Sequence, residues 1–424
     1  MELDSDGCAV WPSSVSFPLT PALSPREREN RRQSLGTAGI VRTFDRWSRP
    51  LPPFPKAEGT GEGEQALLES QAPATHQERA ITSMIHWVCN FISSLWPEPL
   101  RLVLFVVGIM SFVGANAAYL VWVERKGAAR FQRRPGPMEV GWAGLLQPIA
   151  DAAKLMSKQL IVPAGVDRTL FRVAPLLMMS PALMSLAVIP FGEHLAARSI
   201  NVGLLMIFAF GSVNVMGIML GGWSSRNKYA IISAARVVSQ NVAYEIPMLL
   251  VVITMIMVTG TMNLNEIVVQ QAGGFWHWNF FRVWVNPLMP VTFLIFYTCM
   301  LAETNRAPFD MAEAESELVA GAYTEYSGMG FGVFFMAEYS NILLGCALAT
   351  VLFLGGWQSP FGMLSGAFWF LVKMYFLIFS VVWIRWTFPR TQFYGLLNLS
   401  WKILIPVSLF TLILSSAMLK LFRS

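Results

Sequence analysis

Two carboxylates stand where a charge is costly. Glu245, in VAYEIP, and Glu338, in FMAEYSN, each lie about nine residues inside an apolar run long enough to cross a bilayer. An ionisable side chain near the centre of such a run costs roughly 2.5–3.5 kcal/mol on insertion scales, so it asks for a reason. Each has a tyrosine beside it, Tyr244 and Tyr339, and Lys373 sits about seven residues into another run. For any one of them, a structural ion pair or an internal polar cavity explains as much as a functional role does. Three together point to a polar path through an apolar interior.

The densest group of acids is in AETNRAPFDMAEAESELVAGAYTEY, where Glu303, Asp310, Glu313, Glu315, Glu317 and Glu325 face the single Arg306. Asp310, Glu313 and Glu317 fall at i, i+3 and i+7, one face of a helix, while Pro308 breaks any continuous helix from Glu303. Like charges crowded together raise one another's pKa, and such a group can share and release protons. Composition gives equal weight to a plain solvated acidic loop. Redox centres have no such candidates. The four cysteines (Cys8, Cys89, Cys299, Cys346) form no CxxC pair, and His76, His86, His194 and His277 show no metal-ligand spacing.

The elements that must position these groups follow from composition. Of 424 residues, 54% are hydrophobic and 13% charged, against about 25% charged in water-soluble domains. That balance argues against a soluble enzyme or a nucleic-acid reader and for an all-α polytopic membrane bundle. Eight apolar runs are expected to span: about 99–123, 172–191, 202–221, 236–259, 287–303, 329–353, 366–388 and 402–421. The loops after the odd spans and their adjoining helix ends carry sixteen Lys/Arg, the opposite side five. The positive-inside rule therefore places odd loops in the cytoplasm and both termini outside. In the first of these loops, GLLQPIADAAKLMSKQL sets Leu145, Leu146, Ile149, Ala152 and Met156 beside Asp151, Lys154 and Lys158, the pattern of an amphipathic helix at headgroup level.

Residues 1–83 differ in kind. They hold nine of the 25 prolines, a net charge of −2 and no long apolar run. They are expected to be a disordered tail or a misassigned extension, with the natural start at or near Met84 and the membrane domain over 84–424.

The acidic stretch, continued as SGMGFGVFFMAEYSN, closely resembles the signature of a known family: the quinone-site membrane subunit of complex I. This is the H subunit of bacterial NADH–quinone oxidoreductase, and subunit one of its mitochondrial relative. VERKGAARFQRRPGPMEVGWAGLLQPIADAAKL resembles the family's first inner loop, and GGWSSRNKYAIISAARVVSQNVAYEI its third loop and fourth helix. The likeness spans nearly all of 95–424. It implies a subunit of the bacterial inner membrane, assembled with the other membrane and peripheral subunits. Quinone would be its substrate, and it would bind no metal, flavin or iron–sulfur cluster of its own. Carried over by position, the quinone chamber and coupling residues are Arg125, Arg130, Arg134, Arg236, Arg306, Asp310, Glu313, Glu315 and Glu317. The proton path is Glu245, Glu303 and Glu338, and the helix of 144–158 forms part of a lipid-facing quinone entrance. Pro135, Met138 and Ala243 depart from the family pattern and leave the fine conformation of the first loop open. A related membrane subunit of energy-converting hydrogenases, which handles no quinone, is the nearest alternative. An eight-span secondary transporter is another, although it would often show an internal repeat and none is visible.

Overall fold

The computed structural model describes residues 98–424 except 194, 196–199, 283–285, 312–320, 362–365 and 424. The expected tail, Met84, and three of the candidate acids, Glu313, Glu315 and Glu317, lie outside the described residues. All regular elements among the described residues are helical: α1 (Glu98–Phe131), α2 (Gln147–Ser157), α3 (Arg168–Val188), α4 (Gly203–Ser224), α5 (Lys228–Thr259), α6 (Leu264–Val269), α7 (Met289–Glu303), α8 (Gly328–Phe353), α9 (Ala367–Thr387), α10 (Phe393–Leu399) and α11 (Ile405–Arg423). A π turn at Ser400–Leu404 joins the last two into one run.

Seven of these are long and apolar enough to cross a membrane: α1 from Val103, α3, α4, α5, α8, α9 and the α10–α11 run. The remaining apolar run, the fifth in order, forms the 15-residue α7. At 1.5 Å per residue it is about 22 Å long, less than a hydrocarbon core of about 30 Å. Several helices outrun their apolar stretches. The first continues eight residues past 123 through ERKGAARF, where good helix formers outweigh the single Gly127 and no proline intervenes before Pro135. The fourth begins at Lys228 rather than 236. There Asn227 caps it by accepting from the Tyr229 N–H at 3.0 Å, and Gly260 in the left-handed region closes it.

Helices α3 and α8 bury the largest share of their spans, and α1 and the α10–α11 run the smallest. α3 and α4 pack backbone to backbone at Gly217, where a Cβ would stand 2.8 Å from the Met178 nitrogen. Side chains tie the loops together at both ends of the bundle. At one end Asn227 donates to Glu325 at 2.8 Å, Thr391 to the Pro308 carbonyl at 2.9 Å, and the Ile161 N–H to Ser327 at 2.9 Å. Tyr326, between spans, donates to the Phe171 carbonyl at 3.2 Å; burial pushes its phenol up to about 12, so it remains a donor. At the other end Gln271 donates to the Val351 carbonyl at 3.0 Å and Asn286 to Ser415 at 2.7 Å.

Candidate functional site

The loop-rich end that holds Arg306 contains two adjoining clefts. One, of about 390 Å³, lies between α1, α2 and the start of α8. The register of α2 makes it: Pro148, Asp151 and Leu155 recur at i, i+3 and i+7 and line the cleft, with Lys158 just past the helix end. The opposite face leaves Leu145, Leu146, Ile149 and Met156 exposed. Asp151 is ion-paired with Arg125, which ties the helix to α1. The second cleft, of about 420 Å³, shares Val121, Arg125, Phe335 and Tyr339 with the first and adds Glu124, Arg134, Arg306 and Arg385. A cleft with apolar walls from α1 and α8 and charged residues of α2 thus meets a strongly charged inner wall.

That wall is built on Arg306, which is only 3% exposed. Its guanidinium bridges Glu124 of α1 at 3.8 Å and Glu338 of α8 at 3.6 Å. It stacks on the Tyr339 ring at 4.4 Å from the centroid, with Phe335 at 5.7 Å. Glu124 is also ion-paired with Arg385 of α9 and accepts from the Tyr339 hydroxyl. Four separate elements therefore converge on one cluster of two acids and two arginines. Removing one member of a buried group of this kind leaves an uncompensated charge, a cost of roughly 3–5 kcal/mol.

At the end of α7, Glu303 approaches the same turn of α4 as Glu245 of α5. Ser212 donates to a Glu245 oxygen at 2.8 Å, and Gly211 lies against the Glu303 carboxylate. The backbone carrying Glu245 is fixed from α10 and the π turn: Ser400 donates to the Ala243 carbonyl at 2.5 Å and Tyr244 to the Leu396 carbonyl at 3.0 Å. Irregular turns of this type recur at functional positions in helices.

Of the expected residues, the structure brings Arg125, Arg134, Arg306 and Glu338 to the clefts or their inner wall, and Glu245 and Glu303 to one turn of α4. Arg130 is exposed, and Asp310 is half-buried. The Arg236 guanidinium lies 5.9 Å from the Phe393 ring, so it reaches α10. Neither cleft is lined by Arg130, Asp310 or Arg236. Lys373 does not join the acids. Its ammonium donates to the carbonyls of Leu354 at 2.7 Å, Gly356 at 3.0 Å and Gln358 at 2.6 Å, and sits 3.9 Å from the Trp278 ring. It therefore fastens the loop after α8 and stands apart from Glu245 and Glu338. Sequence reasoning misses Glu124 and Arg385. With the first span ending at 123, Glu124 reads as the first residue of a loop. Among the described residues no group of three or more His, Cys, Asp or Glu is placed to hold a metal ion.

Apolar helices around a buried charged cluster define a polytopic helical membrane protein. A family model described as NADH dehydrogenase matches residues 103–416. The chain is 60% identical over 316 residues to the H subunit of the NADH-quinone oxidoreductase of Desulfotalea psychrophila, covering 74% of this chain and 95% of that protein. It is 41% identical over 324 residues to the protein of that name from Carboxydothermus hydrogenoformans, covering 76% and 90%. The protein of that name from Dehalococcoides mccartyi is also 41% identical, over 325 residues, covering 77% and 88%. The chain belongs to the NADH dehydrogenase family.

Proposed function

We propose that this chain is the quinone-site membrane subunit of a proton-translocating NADH–quinone oxidoreductase, active only in complex with the other membrane and peripheral subunits. The observation that carries this reading is the pair of adjoining clefts, which leads from beneath an amphipathic helix to the Arg306 cluster. A quinone has a long apolar tail and a polar head, so it needs an apolar passage that ends where charge and hydrogen bonds begin. Helix α2, with its outward apolar face, suits the membrane interface at the passage mouth. Electrons come from a partner subunit, and making the quinol takes up two of them with two protons.

Arg125, Arg130, Arg134, Arg236, Arg306, Asp310, Glu313, Glu315 and Glu317 belong to the chamber and its coupling loop; Glu245, Glu303 and Glu338 form the acidic path. Arg306 is the natural relay. A change of charge at the headgroup alters the field on a guanidinium held between Glu124 and Glu338, and so alters which protonation state of Glu338 is favoured. The subunit lies in the bacterial inner membrane with both termini outward, a topology supported by the charge asymmetry of the loops.

The test is deletion of the gene, with complementation, in the source organism. Membranes should lose quinone-linked NADH oxidation and recover it with the intact gene. Unchanged quinone-linked activity in the deletion strain would overturn the proposal, as would recovery of the chain bound to a hydrogenase large subunit.

A further inference from the structure

Between α3, α4, α5, α7 and α8 lies a small cavity of about 30 Å³, separate from the quinone clefts, and Glu303 reaches its wall. A site needs roughly 10–15 Å³ of this kind of space to hold a water molecule, so there is room for one or two. Its lining is apolar except for a few side chains. Two of these, Asn214 of α4 and Ser185 of α3, are 5% and 1% exposed, and Asn214 Oδ1 and Ser185 Oγ have no hydrogen-bond partner within the protein. Buried polar atoms are rarely left so, and water in the cavity would give each a partner. Asn341 also lines the cavity, one turn of α8 beyond Glu338.

The carboxylate reaches this space because residue 211 has no side chain. A Cβ on Gly211 would stand 3.2 Å from Glu303 Oε1, closer than ordinary contact, and the carboxylate would have to move. The next residue, Ser212, holds Glu245 at 2.8 Å and has the Phe208 carbonyl at 3.4 Å as a second acceptor. Two consecutive residues of α4 thus serve the two neighbouring acids.

We propose that Gly211, Asn214 and Ser185 are positioning residues that hold ordered water against the Glu303 carboxyl on the acidic path. This rests on the coupling role given above to Glu245, Glu303 and Glu338. A carboxyl donates a hydrogen bond when protonated and only accepts when ionised. Water can turn to meet either need, whereas the amide oxygen of Asn214 and the backbone of α4 cannot. The cavity lets Glu303 change state without leaving a buried group unbonded.

The experiment uses the whole complex in native membranes. Asn214→Leu replaces the amide with an apolar group of similar size, Asn214→Ser keeps an acceptor and leaves space, and Gly211→Ala adds one methyl at a helical position. Redox-induced infrared difference spectra are recorded in ordinary and oxygen-18 water, alongside quinone-linked turnover and electron transfer to an artificial acceptor. The unaltered complex should show a buried-water O–H band that shifts with the isotope. Asn214→Leu should lose the band and slow quinone-linked turnover by about tenfold, the equivalent of one hydrogen bond in a rate-limiting step. Asn214→Ser should restore both, and Gly211→Ala should shift the band. Electron transfer to the artificial acceptor should be unchanged throughout. If Asn214→Leu does not assemble, Gly211→Ala and the isotope shift in the unaltered complex decide the matter. Absence of an isotope-sensitive band overturns the proposal, and so does unaltered turnover in both Asn214→Leu and Gly211→Ala. If Glu303→Gln and Glu245→Gln are inactive while the cavity variants are normal, the water site alone fails. If the two carboxylate variants are also fully active, the coupling reading falls with it.

Discussion

Lys373→Met separates a structural buried cation from a proton carrier. Methionine preserves the length of the stem and much of its volume, so the contact with Trp278 survives in part while the ammonium disappears. What is lost is set by three donor contacts of 2.6–3.0 Å to the carbonyls of Leu354, Gly356 and Gln358. A hydrogen bond to a charged group contributes roughly 1.5–3 kcal/mol net of desolvation, an upper bound of about 4.5–9 kcal/mol for three. Three bonds made by one ammonium, only 7% exposed, are not additive, and relaxation of the loop recovers part of the loss. The balance is a destabilisation of about 2–4 kcal/mol, concentrated in the loop that follows α8. Heat inactivation of the solubilised complex should then move down by roughly 5–10 °C, and the steady-state amount in membranes should fall. Quinone-linked turnover per assembled complex should remain near normal at low temperature, because no carboxylate loses a partner. The measurement is a melting curve by residual activity, with subunit content quantified in the same membranes. Normal stability combined with lost turnover would refute the reasoning and return Lys373 to the proton path.

Arg306→Met should reduce assembly, because it strips Glu338 of its arginine at a cost of roughly 3–5 kcal/mol. Arg306→Lys keeps the charge but not the planar stack on Tyr339, so quantitative immunoblots should find it assembled with impaired turnover. Asp151→Asn breaks a half-exposed pair with Arg125 and should change stability by less than about 1 kcal/mol; steady-state kinetics should instead show a raised KM for quinone as α2 loosens from α1. Glu245→Gln and Glu317→Gln keep side-chain volume and remove a titratable group, so quinone-linked NADH oxidation should fall strongly while transfer to an artificial acceptor is retained. Glu266→Gln, in the short α6 on the opposite end of the bundle, is the control and should be silent. Full quinone activity and full pumping in both Glu245→Gln and Glu317→Gln would remove the carboxylate path.

The spans were legible because hydrophobic run length is a strong, local signal. The fifth run forms a helix shorter than the other seven candidate spans, yet it begins within two residues of the expected position and ends at Glu303 as expected. Their boundaries were less legible, since a helix stops at a breaker or a cap and not where hydropathy falls. Asn227 and Gly260 carry that information for α5, and it lies outside the apolar run at both ends. For α1 the same rule matters more. Eight further residues of helix keep Glu124 and Arg125 on consecutive positions of one rigid element, with Glu124 turned inward and Arg125 toward α2.

The site was legible as a set of unusual residues and not as a set of partners. An acid deep in an apolar run announces itself, so Glu245 and Glu338 stood out. Arg306 stood out as the lone cation among acids. Which charges meet is decided by helix packing, and that is a long-range property. Glu338 finds Arg306 thirty-two positions away, and Glu124 finds Arg385 across most of the sequence of the described bundle. Lys373 shows the limit from the other side. By type and depth it matches the two carboxylates, yet its partners are backbone carbonyls, which no sequence pattern distinguishes from any others. What separates them is the kind of partner: Glu245 and Glu338 meet side chains, Ser212 and Arg306, while the Lys373 ammonium meets backbone carbonyls, and the Lys373→Met variant tests whether that difference divides a path from a fastening.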